Sequence, residues 1–245
     1  MFSARTLVLL PIVLLLGGCS AIEGDLLYHP SHHANTGDLK PWRVEGEIVG
    51  YARVVDHPRA VWLMLHGNGL QAADRGYVIP HFTPSDSVYV LEYPGYGGRP
   101  GKPSKATIDA AAVAAYRQLR GDFPNLPICV ASESFGSGPA CLLARESRPP
   151  DKIVLVVPFD RLSAAAREHY PRWMVDALAV DDWDNIAALS GYRGPVVIYG
   201  AMHDETIPMR HARALAAAVP GSQFHAENCG HSNWGNVAEI VFRYP

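Results

Sequence analysis

The 245-residue chain is 48% hydrophobic and 18% charged, which suits one globular domain with a sizeable core and excludes a disordered or fibrous protein. A net charge of -3, with no run of lysine or arginine, leaves no electrostatic footprint for nucleic acid.

Met1 to Cys19 has the character of an export signal. Arg5 supplies a positive charge, and Leu7 to Leu16 form an apolar run too short to span a bilayer as a helix but suited to the core of a signal peptide. The run ends in Leu16-Gly17-Gly18-Cys19-Ser20, which resembles the bacterial lipobox. That resemblance implies removal of residues 1–18, lipidation of Cys19 and retention at the outer membrane of a bacterial cell envelope, facing the periplasm. An ordinary signal peptide that happens to carry a cysteine is the alternative. Residues 19–46 lack a clear period and read as a tether onto a domain at 47–245. The histidines in Tyr28-His29-Pro30-Ser31-His32-His33 have no partner at metal-ligand spacing, which favours a solvated linker over a metal site.

Glu47 to Val55 and Ala60 to Leu65 are predicted strands, the second running into the glycine-rich turn His66-Gly67-Asn68-Gly69. Such a turn aims backbone N–H groups at one spot, as an oxyanion requires. Here His66 is expected to hold the loop. Ser87 to Tyr93 is the next strand, and Ile108, Ala112, Ala115 and Leu119 recur at helical spacing within a helix from about Thr107 to Arg120. Ile128 to Ser134 follows as a strand entering small residues and then a helix. In Ser132-Glu133-Ser134-Phe135-Gly136 a sharp strand-to-helix turn would lift Ser134 clear of the sheet edge, with Ser132 standing where a glycine is usual. Lys152 to Pro158 is another buried strand. Residues 160–194 are polar and aromatic and too long for a plain turn, so they are expected to form a small helical cap. There Trp173 and Trp183 either line a pocket or pack the cap down, and Asp181, Asp182 and Asp184 are solvated or structural. Pro195 to Tyr199 resumes the strand pattern, ending in a loop with Asp204. A helix from Met209 to Val219, a strand from Ser222 to Glu227 and a loop carrying His231 complete the chain.

Strands alternating with helices imply a mostly parallel sheet flanked by helices, whose carboxyl-edge loops assemble sites. Those loops carry, in order, the glycine-rich turn, Ser134, Asp204 and His231. On His66-Gly67-Asn68-Gly69, Tyr93-Pro94-Gly95-Tyr96-Gly97, the Ser134 motif, Pro158-Phe159-Asp160, Asp204 with Ile207-Pro208, and Gly230-His231, the chain resembles the α/β-hydrolase superfamily. Within it, the likeness is to the serine aminopeptidase-like group that includes the α/β hydrolase domain-containing acyl hydrolases. The order serine, aspartate, histidine is the one expected of that fold.

The chemistry then assigns roles. His231 takes the proton of Ser134, Asp204 orients His231, and the N–H groups of Phe135 and the Asn68 region hold the oxyanion. Asp160, after an earlier strand, is the competing acid. Cys129, Cys141 and Cys229 are expected to be buried free thiols. The expected activity is cleavage of small-molecule ester or related acyl bonds through an acyl-enzyme, with no metal or organic cofactor. An aminopeptidase or amidase, and a catalytically silent interaction protein with a hydrolase fold, are the alternatives.

Overall fold

Five apolar runs lie side by side at the centre of the structure, a computed structural model that describes residues 27–34, 37–178 and 182–245. The signal peptide at 1–18, the lipidation site Cys19 and Asp181 of the cap lie outside the described residues. The central strands are β3 (Val61–Leu65), β4 (Ser87–Leu91), β5 (Ile128–Glu133), β6 (Ile153–Val156) and β7 (Val196–Ala201), every residue of which is buried. Burial on both faces is why they read as continuous apolar runs. Successive side chains point to opposite faces, so Val61, Leu63 and Leu65 join one core layer while Trp62 and Met64 join the other.

Three more strands complete an eight-stranded sheet: β1 (Lys40–Val44), β2 (Glu47–Arg53) and β8 (Gln223–Glu227). The order is β1-β2-β4-β3-β5-β6-β7-β8; β1 and β2 are antiparallel to their neighbours and the remaining pairings are parallel. The first core layer is closed by α1 (Lys105–Asp122) through Ile108, Ala112 and Leu119, by α2 (Ser137–Leu142) through Ala140 and Cys141, and by α6 (Arg210–Ala218) through Ala212 and Leu215. Helix α1 starts where the Ser104 side chain accepts a hydrogen bond from the Thr107 N–H at 3.1 Å. The second layer is closed by an irregular 3-10 segment, Ala72–His81, and by the C-terminal residues Trp234, Ile240 and Phe242.

Two expectations need correction. The stretch read as the end of a tether is part of the domain: β1 pairs with β2, Leu39 and Trp42 are buried, and Tyr28 packs edge-on against Phe135 at 5.7 Å. The apolar anchors there are single residues among prolines and histidines, so no period betrays them. The cap at 160–194 also divides. Its helices are α3 (Leu162–Ala166), α4 (Arg172–Leu178) and α5 (Asn185–Leu189), and its neck is closed by a bridge between Arg161 and Asp184. Helix α5 belongs with the core, because Leu189 and the preceding Trp183 are buried in the first layer and the Asn185 side chain donates to Ser137 Oγ of α2 at 3.1 Å.

Candidate active site

Strand β5 ends in a backbone that no ordinary strand adopts. Ser134 has φ +49°, the left-handed region, which costs a non-glycine residue about 1–2 kcal/mol. Directly afterwards Ser134–Gly136 turns as a 3-10 helix into α2. Gly136 is required there, since a Cβ would lie 2.1 Å from the Leu65 carbonyl oxygen of β3. Ser132, at the other small position, is buried in regular pairing with Leu65 and Leu155. The sheet accommodates its side chain, although its Oγ has no hydrogen-bond partner.

The structure brings Ser134, His231 and Asp204 together from three loops. His231 Nε2 is 2.8 Å from Ser134 Oγ, and His231 Nδ1 is 2.8 Å from Asp204 Oδ2. The second carboxylate oxygen, Asp204 Oδ1, accepts the N–H groups of Thr206 at 2.9 Å and Ile207 at 2.7 Å. With Asp204 fixed as an acceptor, His231 Nδ1 must carry the proton and Nε2 is left to accept from the serine hydroxyl. The His231 loop is itself pinned, the Gly230 N–H donating to Asn233 Oδ1 at 2.7 Å.

On the glycine-rich turn the Gly67 N–H is already taken by Glu133 Oε1 at 2.9 Å, so the next N–H, that of Asn68, is the one the turn offers to an oxyanion. The Asn68 side chain faces elsewhere. It donates to the Leu27 carbonyl and accepts from the His29 N–H at 3.1 Å and the Tyr96 hydroxyl at 2.8 Å. The Phe135 N–H, in the first turn after Ser134, is the second candidate donor. His66 lies fully buried beneath the turn, its ring tilted against that of Tyr93 with centres 4.2 Å apart.

Sequence reasoning missed the group that joins these parts. Glu133 is buried beside Ser134, with Arg75 Nη1 at 2.7 Å, the Tyr77 hydroxyl at 2.6 Å and Trp234 Nε1 at 3.0 Å. Arg75 also donates to the Gly69 carbonyl. One carboxylate therefore ties the glycine-rich turn, the Ser134 turn and the segment after His231. Burial alone would raise the Glu133 pKa, but Arg75 and the donors from Tyr77 and Gly67 outweigh it and hold the group below the usual carboxylate value.

The remaining titratable and aromatic groups of these loops and the cap have partners or positions of their own. Asp160 Oδ1 meets His211 Nδ1 at 2.8 Å, and His211 Nε2 meets Glu168 at 3.1 Å, so the competing acid serves a different histidine. His203 pairs with Asn228 at 2.8 Å and His225 stacks on Tyr199. Trp183 packs edge-on against Phe135, whereas Trp173 is 73% exposed. Asp182 receives Arg161 and Ser163, and Asp184 caps α5. Cys129, Cys141 and Cys229 are buried and unbridged. Among the described residues, no three histidine, cysteine, aspartate or glutamate side chains converge as a metal site. A pocket of about 700 Å³ opens over Ser134 and His231, with Leu27, Phe135, Phe159, Leu162, Ala165 and Ile207 among its walls.

Sheet order, strained serine turn and flanking helices together are the α/β-hydrolase fold, and solved structures agree. An esterase of Pyrococcus furiosus superposes with a TM-score of 0.63 at 12% identity, covering 84% of this chain and 91% of that one. An α/β hydrolase of Vibrio vulnificus superposes at 0.66 and 21% identity, covering 77% and 72%. No protein-family model matches the chain. By sequence it is similar to an uncharacterised protein of Mycobacterium tuberculosis, 33% identical over 151 residues, covering 60% of this chain and 53% of the relative. It is also similar to the lysophosphatidylserine lipase ABHD12 of Danio rerio, 26% identical over 182 residues (65% and 46%), and to the α/β hydrolase domain-containing protein 17C of Xenopus laevis, 26% over 214 residues (82% and 66%). The chain thus spans about half the length of the first curated relatives it matches.

Proposed function

We propose that the protein is a serine hydrolase that cleaves acyl esters through an acyl-enzyme intermediate and is held at the bacterial envelope by a lipid on Cys19. The observation that carries the reading is the continuous hydrogen-bond chain from Ser134 through His231 to Asp204. Names borne by relatives, an esterase and a lysophosphatidylserine lipase, support the reaction class.

In the first half-reaction the Ser134 oxygen adds to the acyl carbonyl as its proton passes to His231 Nε2. Asp204 stabilises the resulting imidazolium, and the N–H groups of Phe135 and Asn68 take up the charge on the carbonyl oxygen. Collapse breaks the bond to the leaving alcohol, which receives the proton from His231. Water repeats the sequence on the acyl-serine, releasing the carboxylic acid and restoring the hydroxyl of Ser134. Ester substrates are favoured over aminoacyl amides because an α-ammonium group needs a carboxylate. Glu133, the carboxylate lining the pocket among the described residues, already has both oxygens occupied.

A fluorophosphonate probe tests the reaction class. Labelling of the full-length chain is expected on the peptide containing Ser134 and is expected to vanish in Ser134→Ala. A folded protein that stays unlabelled supports the silent interaction protein instead. For the anchor, Cys19→Ser is expected to abolish incorporation of labelled fatty acid, since thioether formation needs the thiol; continued incorporation refutes the site.

A further inference from the structure

Large apolar side chains are exposed at the mouth of the pocket. Leu70 and Tyr170 both line the pocket and are 47% and 43% exposed, and Trp173 follows Tyr170 by three residues at the start of α4. Trp173 is 73% exposed, while Trp42, Trp62, Trp183 and Trp234 are buried. Leaving an indole in water forgoes about 2 kcal/mol of burial. Leu70 sits at φ +67°, a strained conformation for leucine, yet presents its side chain to solvent. Exposed tryptophan and tyrosine beside leucine is the composition that settles at a membrane interface.

The path of the chain points to the same face. Leu27 and His29 line the pocket, and Pro30 bridges to Leu70. Leu27 lies eight residues after Cys19 and eleven after the apolar run that ends at Leu16. Even fully extended, those spans are at most about 29 Å and about 40 Å. A bilayer that receives either group is therefore within that reach of the mouth. Charges near Tyr170 and Trp173 are paired and leave only one net positive charge: Arg167 and Arg172 share Asp176, and Arg210 pairs with Glu168. Among the described residues no helix is long and apolar enough to cross a membrane.

We propose that Leu70, Tyr170 and Trp173 rest in the interfacial layer of a lipid bilayer, and that the ester reaching Ser134 is carried by a lipid of that bilayer. The second half of this proposal rests on the serine-hydrolase reading. Pulling an acyl chain into water costs about 0.8 kcal/mol per CH2, a cost avoided when the pocket opens against the membrane.

The test uses the full-length chain in phosphatidylcholine vesicles with or without brominated acyl chains. Brominated lipid is expected to quench tryptophan fluorescence, and Trp173→Phe to remove most of that quenching. High salt, which screens exposed charges, is expected to leave it unchanged. An unquenched Trp173 in protein that floats with the vesicles would overturn the proposal, because the anchor would then hold a domain whose rim faces water. In kinetics, Trp173→Ser is expected to lower kcat/KM about tenfold on a monoacylglycerol embedded in the vesicles, with a dissolved short ester unaffected and Trp173→Phe close to wild type. Equal loss on both substrates overturns membrane presentation. Fluorophosphonate labelling in the same vesicles separates the two readings. Quenching without labelling retains the contact and removes the hydrolase, and labelling without quenching removes the contact alone.

Discussion

Ser134 is held in a strained backbone with its hydroxyl 2.8 Å from His231, and neighbouring pairings such as Glu133 with Val156 keep it there. If the three side chains act as one unit, Ser134→Ala and His231→Ala are each expected to lower kcat/KM on the order of 10⁴-fold, and the double variant to lose little more. Asp204→Asn is expected to be severely impaired, since an amide favours the wrong imidazole tautomer. Asp160→Asn is expected to keep turnover of a dissolved short ester because its partner is His211, not His231. Steady-state hydrolysis by variants shown to be folded decides; a dead Asp160→Asn beside an active Asp204→Asn would move the acid to the earlier loop. The three residues stand out in the sequence because each occupies a strand-end loop with its own local signature. Glu133 does not. Its partners Tyr77, Arg75 and Trp234 lie 56, 58 and 101 residues away, and no local pattern announces them. The available signal was chemical: a carboxylate ending a buried strand must find a cation and donors or stay outside.

At the scale of elements, legibility follows burial. The central strands are buried on both faces, so their runs stop close to where the pairing stops, as in Ala60 to Leu65 against Val61–Leu65. Strand β1 escaped notice for the opposite reason. In Lys40-Pro41-Trp42-Arg43-Val44 only Trp42 is buried, and proline reads as a breaker, yet at a sheet edge its missing N–H can face outward without cost. The segment Ala72–His81 escaped as well, because Pro80 lies inside it and the helix kinks at Arg75. That kink belongs to the site, since Arg75 reaches both Glu133 and the Gly69 carbonyl. The Ser132 position was legible as a departure from the usual glycine, but its consequence was not. The close approach that forbids a side chain is at Gly136, against Leu65, while Ser132 fits the regular pairing of β5.

Across the whole molecule, a buried imidazole is one of the ties between the cap and the sheet. His211 on α6 bridges Asp160, beyond β6, and Glu168, just after α3, with Arg210 also on Glu168. Both ring nitrogens can donate only in the imidazolium form, and the hydrogen bond to Asp160 leads the causes that raise the His211 pKa against the opposing effect of burial. Because the folded value is raised, this stabilisation is fully present below the unfolded value of about 6.5 and is lost as pH rises through the folded value. The measurement is urea unfolding of wild type and His211→Gln from about pH 5 to about pH 9, with the difference between the two curves as the readout. Wild type is expected to be the more stable at the acid end, and the advantage to shrink steadily as pH rises. A difference that stays constant would mean that His211 acts as a neutral spacer, with Asp160 and Glu168 held by other donors. His169 and Tyr170 follow Glu168 directly and line the pocket, so loosening of this clamp reaches the mouth. Hydrolysis of a vesicle-borne ester is therefore expected to fall over the same rise in pH in wild type and to lack that step in His211→Gln.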